Sequence, residues 1–234
     1  MLPASLTKTS LMIKDLINKD VSKDDLEKIF LSLSELNEAL KNQAKEIYIN
    51  ETSQGKLYKS SHYIFSIINR AIALNRGYKL LVDNKNYITA IPLLRLQVDN
   101  CLRLFALSLV SDRKHFYEEV LKGTHIRNLT DAEGKKMNDD YLVTKIDALY
   151  PKFKELYKNT SGFVHFSNEH LFINNEVAEN SNDTFNLRTS IGDIDELEIH
   201  EEVDYAFNMF YAGQNLFRLI NGYRLSMESH LKTD

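Results

Sequence analysis

The chain of 234 residues contains one cysteine, three prolines and eight glycines. A lone thiol excludes an internal disulfide, and Cys101, inside an apolar run, reads as a small packed hydrophobe rather than a reactive group. So few prolines and glycines leave few of the turn signals that an all-β chain needs every ~8 to 12 residues. Helix is therefore expected. No stretch approaches the roughly 20 consecutive apolar residues of a membrane span. The N-terminal "MLPASLTKTSLMIKDLINKD" has no apolar core of signal-peptide length, because Lys8, Lys14 and Asp15 interrupt it. The expectation is a soluble, cytoplasmic protein with no membrane partner. A net charge of -4 gives no global attraction to nucleic acid, so RNA binding would depend on a local patch.

What is present is amphipathic helix. With 43% hydrophobic and 26% charged residues, the chain has an ordinary globular composition. The reading is a mainly α, single-domain helical bundle over residues 1–234, with the core bundle at about 22–170. A small β-hairpin at about 171–192 precedes a C-terminal helix at about 200–231. A short first helix is expected at about Ser5 to Asn18. "SKDD" then places Ser22 and Asp25 as a capping box, followed by Leu26, Ile29, Phe30, Leu33, Leu36, Leu40, Ala44 and Ile47 on one stripe. Another helix spans about Tyr58 to Val82. After the turn "DNKN", the run "YITAIPLLRLQVDNCLRLFALSLV" is apolar nearly all round, which marks the centre of the bundle. Pro92 belongs to its first turn, with Thr89 as cap, or kinks it. Ser111 is expected to cap a short helix ending at Gly123, and "TDAE" (Thr130 to Glu133) reads as a second capping box. Helices at about Asp140 to Leu149 and Pro151 to Tyr157 follow. "LFINNEV" and "TFNLRTSIG" flank "AENSND" as the two arms of the hairpin.

Polar residues on the central helix need an explanation. Arg95, Asp99 and Arg103 stand at i, i+4 and i+8, one charged line on an otherwise apolar helix. Unpaired buried charges are costly, so these three must pair, or face a cleft or a second subunit. Later in the chain "TSGFVHFSNEH" (Thr160 to His170) concentrates Ser161, His165, Ser167 and His170. If Ser161 to Glu169 is helical, Ser161 and His165 share a face and His170 points elsewhere. Histidine is the side chain most readily poised as acid or base near neutral pH, although one between Val164 and Phe166 can equally be a hydrogen-bonded core residue. The His165/His170 spacing is not that of a helical zinc pair, so no metal is expected. "GxSxG", "GxxxxGK" and "GxGxxG" are all absent, and no cofactor is implied.

"LLRLQVDNCLRLFAL" (Leu93 to Leu107) and "LYKNTSGFVHFS" (Leu156 to Ser167) together resemble a bacterial all-helical family of unknown function. Its members combine an "LLR...E" helix with a later "Y..lS...H" segment. The resemblance assigns Arg95, Asp99 (where Glu is usual), Tyr157, Ser161 and His165 to one site. More distantly, "TSGFVH" (Thr160 to His165) is similar to the "RNxxxH" signature of HEPN domains, helical bundles that often dimerise and that cleave RNA in bacterial defence and toxin systems. His165 fits that signature and Ser161 stands for its polar residue, but Thr160 replaces the arginine. Arg95 or Arg103 would then have to supply the cation that stabilises phosphate charge.

Three functions follow from these readings. One is HEPN-like, metal-independent RNA cleavage or nucleotide binding, with His165, Arg95 and Ser161 catalytic. The second is a binding module in which Asp99, Arg103 and Tyr157 hold a small anionic ligand. In the third, the polar cluster is internal glue of an interaction protein. The one-sided helix from Ser22 to Thr52 serves a homodimer as readily as an intramolecular bundle.

Overall fold

A computed structural model describes residues 21–164, 175–179, 185–189 and 197–231. The helix expected at Ser5 to Asn18 lies outside them, as do His165, Ser167 and His170. In chain order the elements are α1 (Lys23–Thr52), α2 (Lys59–Asp83), α3 (Tyr87–Leu109), α4 (Arg113–Leu121), a 3₁₀ turn (Ile126–Asn128), α5 (Asp139–Asp147), α6 (Phe153–Ser161), β1 (Asn175–Glu179), β2 (Phe185–Thr189) and α7 (Ile199–Leu231). None of the described helices is long and apolar enough to cross a membrane.

Helix α1 begins as its capping residues require. The Ser22 backbone N–H and hydroxyl donate to one Asp25 carboxylate oxygen at 3.1 and 2.8 Å, placing negative charge at the positive end of the helix. Its apolar stripe is buried from Leu26 to Ile47. After α1 the chain turns through Gly55, whose φ of +66° is left-handed. The start of α2 is capped from a distance. Tyr58 has no side chain suited to the task, and the buried Glu51 accepts from the Tyr58 backbone N–H at 3.0 Å and from the Ser61 hydroxyl.

Helices α1, α2 and α3 run alternately up and down. The long α7 lies parallel to α1 and α3, with Gly213 against Leu36 and Arg224 3.5 Å from Glu46. The close passage at Gly213 depends on its missing side chain, because a Cβ there would sit 2.8 Å from Leu36 Cδ2. Helix α3 occupies the centre. Ala90, Val98, Cys101, Leu102 and Ala106 are closed off from solvent, and the Cys101 thiol donates to the Ala212 carbonyl at 3.3 Å. Burial pushes this thiol far above its ordinary range, so Cys101 packs as a hydrophobe. The shorter α5 and α6 lie against α3, and α4 lies against α2 and α3. Strands β1 and β2 pair antiparallel, with Asn175 opposite Thr189 and Glu179 opposite Phe185.

Helix α6 runs Phe153–Ser161 rather than from about Pro151 to Tyr157. Three expected helix starts also differ, each because an Asn or Asp captures the backbone first. Asn86 rather than Thr89 caps α3, accepting from the Thr89 N–H at 3.3 Å, so Pro92 lies inside the helix and not in its first turn. Asp112 rather than Ser111 caps α4, accepting from the His115 N–H at 2.9 Å. "TDAE" starts no helix. Asp131 draws in the backbone N–H groups of Glu133 and Lys135 at 3.0 and 2.9 Å, and Gly134 closes this turn at a φ of +81°.

Candidate functional site

The charged line on α3 is paired partly along itself, between Asp99 and Arg103, and partly with neighbouring helices. Arg103 holds Asp99 through Nε at 2.8 Å and Nη2 at 2.7 Å, and reaches across to Asp139 on α5 at 2.9 Å. Arg70, on α2, takes the other Asp99 oxygen at 3.2 Å. Arg95 makes its ion pair with Asp139 rather than Asp99. Its Nη2 is 3.9 Å from Asp139 Oδ2, and its guanidinium lies 3.9 Å from the centre of the Tyr157 ring. The Tyr157 hydroxyl donates to that same Asp139 oxygen at 3.3 Å. One alternating network of three guanidinium groups and two carboxylates thus joins α2, α3, α5 and α6. Burial works against the charge on Arg103, yet Asp99 and Asp139 outweigh it and hold its pKa above the ordinary value. Burial, with the nearby Asp139 carboxylate, also raises the Tyr157 phenol against the opposing pull of Arg95, so it stays a hydrogen-bond donor at neutral pH.

A second network leads inward from the first. Arg70 Nη1 donates to Asn100 Oδ1 at 2.7 Å, and Asn100 Nδ2 donates to Gln97 Oε1 at 2.9 Å. Gln97 Nε2 then donates to Asn75 Oδ1 at 3.2 Å, and Asn75 Nδ2 to Asn37 Oδ1 at 2.8 Å. All four amide side chains are buried, and together they link α3 and α2 to α1.

On its outer side the ionic network opens on a cleft of about 720 Å³. Its walls are Tyr63 from α2, Asp99 and Arg103 from α3, Val120 from α4, the segment Gly123–Arg127, and Asn138 and Asp139 at the start of α5. The loop segment is fixed by local packing. Ile126 and Met137 are buried, the Met137 N–H donates to the Leu129 carbonyl at 3.0 Å, and the Ala132 N–H donates to the Leu109 carbonyl at 2.9 Å. With Ile126 pointing inward, its neighbours His125 and Arg127 stay exposed and line the cleft. Among the described residues, neither of their side chains is engaged in a hydrogen bond or ion pair. Opposite them Tyr63 is half-buried, its hydroxyl donating to the Arg103 carbonyl at 3.3 Å.

Of the residues expected from sequence, Arg95, Asp99, Arg103 and Tyr157 therefore share one network, and Asp99 and Arg103 face the cleft. Arg95 is not among the cleft residues; its side chain is only 13% exposed, against Tyr157. Ser161 spends its hydroxyl on the Tyr157 carbonyl at 2.7 Å, one turn back on its own helix. Regular helix ends at Ser161 and a turn occupies residues 162–164, so among the described residues no helix carries Ser161 on toward His165. His165 itself lies outside the described residues. The residues missed from sequence are Arg70, His125, Arg127 and Asp139. A pair of cationic side chains flanking one apolar residue, "HIR", is the available signal for two of them. Among the described residues there is no cluster of His, Cys, Asp and Glu that could hold a metal ion. No family model matches the chain, and no match exists among curated proteins or solved structures.

Proposed function

We propose that this protein is a binding module for a small phosphate-bearing ligand of nucleotide size, seated in the cleft beside Arg103. The observation that carries the reading is the pairing within the cleft. Its lining charges balance, Arg103 and Arg127 against Asp99 and Asp139, but both carboxylates are engaged by Arg103 and, behind the wall, by Arg70 and Arg95, which leaves Arg127 without an anionic partner among the described residues. The volume falls within the range of about 300 to 1,000 Å³ usual for ligand pockets. Tyr63 and Val120 offer apolar surface to a base or sugar, while Thr124, His125, Arg127 and Asn138 offer polar contacts.

Titration calorimetry of the full chain with AMP tests this. Binding is expected with a Kd at or below about 1 mM, with Arg127→Ala weakening it about tenfold or more at unchanged melting temperature. Ser161→Ala should leave binding unchanged, because its hydroxyl is occupied within α6. Absence of binding by any nucleoside phosphate would remove the reading.

One observation favours a second reading, metal-independent RNA cleavage of the HEPN kind. His125 shares the cleft with Arg103 and Arg127, so an acid/base group and charge-stabilising groups lie along the same walls whether or not His165 joins them. Incubation of RNA with the protein in a metal chelator, and with His125→Ala and His165→Ala variants, tests it. Intact RNA in every case would reject cleavage and leave the binding reading in place.

A further inference from the structure

Asp139 occupies a special place in this cleft. It is the first residue of α5, where a carboxylate is favoured by the helix dipole, and about a third of its side chain is exposed. One oxygen accepts the cleft-facing Arg103 guanidinium at 2.9 Å. The other already has a second set of partners behind the wall, at long range: Tyr157 Oη at 3.3 Å and Arg95 Nη2 at 3.9 Å. A carboxylate so placed can leave Arg103 and close onto Arg95 and Tyr157 without becoming an unpaired charge. Asp99 has no such freedom, since both its oxygens are held, by Arg103 and by Arg70.

We infer that Asp139 is an internal stand-in for the ligand's anionic group, and that it thereby selects a phosphate monoester over a diester. The inference rests on the phosphate-ligand reading above. A phosphate dianion carries twice the charge of a single carboxylate, so it competes well with Asp139 for Arg103 and can bind that guanidinium through two oxygens. A diester carries one charge, as Asp139 does, and gains little by displacing it. A bound anion left beside an unmoved Asp139 would meet like charge, which is costly across a binding surface.

The experiment is calorimetric titration of AMP and cyclic AMP, a monoester and a diester of one nucleoside, into the wild type and into Asp139→Asn, Asp139→Ser and Asp140→Asn. Asparagine keeps the shape of the side chain, and serine is a small polar replacement while Asn138 remains the N-cap, so two routes to a folded variant exist. Asp140 is exposed, adjacent and not among the cleft residues, so its substitution removes the same charge from the same helix end. Wild type is expected to bind AMP at least about tenfold more tightly than cyclic AMP, and loss of the Asp139 carboxylate to tighten cyclic AMP about tenfold and narrow that preference. Unchanged or weaker cyclic AMP binding in both Asp139 variants, with wild type binding AMP, would overturn the inference while leaving the ligand reading intact. An equal gain in Asp140→Asn would overturn it too, as an effect of bulk charge. Failure of every form to bind either nucleotide would remove the ligand reading, and this inference with it.

Discussion

The buried amide relay makes a demand that independent hydrogen bonds would not. Asn75→Leu deprives Gln97 Nε2 of its acceptor and Asn37 Oδ1 of its donor; Gln97→Met deprives Asn75 Oδ1 and Asn100 Nδ2. Each single change therefore orphans two polar groups. Gln97, Asn75 and Asn100 are essentially closed to water and Asn37 is nearly so. At about 1 to 3 kcal/mol for each unsatisfied buried group, with some rehydration at Asn37, each variant should lose about 2 to 4 kcal/mol. The double variant orphans only Asn37 Oδ1 and Asn100 Nδ2, again two groups. Its cost should equal that of one single change, not the sum, giving a coupling energy of about 2 to 4 kcal/mol, at or above the upper end of the roughly 0.5 to 3 kcal/mol usual for networked neighbours. Denaturant unfolding of the four proteins measures this directly, provided that the dependence on denaturant is unchanged among them. In a chain of this size each kcal/mol also moves Tm by about 2 to 4 °C. If the double variant loses the sum of the two single losses, the amides are not a connected relay and the account fails.

Two further outcomes are expected. Gly213→Ala should destabilise by about 1 to 3 kcal/mol, because its Cβ would meet Leu36 Cδ2 at 2.8 Å and Leu36 is fully buried; trimming the obstacle with Leu36→Val should make the pair of substitutions cost less than their sum, as read from thermal melts. The Asp131 carboxyl is held below its ordinary value of 3.8 by the Tyr141 hydroxyl, with help from the Lys135 and Glu133 N–H groups and against its own burial. A depressed carboxyl contributes stability that is complete above the unfolded pKa and lost as pH falls through the folded one. Tm should therefore drop more steeply from pH 5 to pH 2 in the wild type than in Asp131→Asn; equal slopes would show that this contact contributes nothing to acid sensitivity.

Helix existence was legible because burial imposes a period. The stripe from Leu26 to Ile47 and the near-continuous apolar run of α3 correspond to buried faces almost residue for residue. Helix ends were less legible where several capping candidates stood together. Asn86 against Thr89, and Asp112 against Ser111, are choices among neighbours of similar chemistry, made by where the preceding turn aims the chain. Lys85, for example, sits at a left-handed φ of +54° and delivers Asn86 to the capping position. On the site, charges on an apolar helix pointed correctly to a network at Arg95, Asp99 and Arg103. Its other charged members could not be read, because Arg70 and Asp139 belong to elements whose relation to α3 is set by tertiary packing and leaves no mark in local spacing. His125 and Arg127 were hidden in an irregular segment, where the informative residue is the buried Ile126 between them.

The interior and the cleft are joined through Arg70 and Asp99. A guanidinium can only donate, so Arg70 obliges Asn100 to present its oxygen, which turns the Asn100 amide nitrogen toward Gln97 and fixes in turn Gln97, Asn75 and Asn37. The direction of the whole relay is thus set from its outer end. Asp99 holds Arg70 in place with one oxygen and Arg103 with the other. Under the proposed binding reading, an anion arriving at Arg103 would act on a group whose carboxylate partner also steadies the donor that orients the core. Internal glue and the proposed ligand recognition are then compatible explanations of these charges. The pairing that stabilises α2 against α3 is what leaves Arg103 fixed and facing the cleft, so a substitution at Asp99 should harm stability and binding together, while one at Arg127 should harm binding alone.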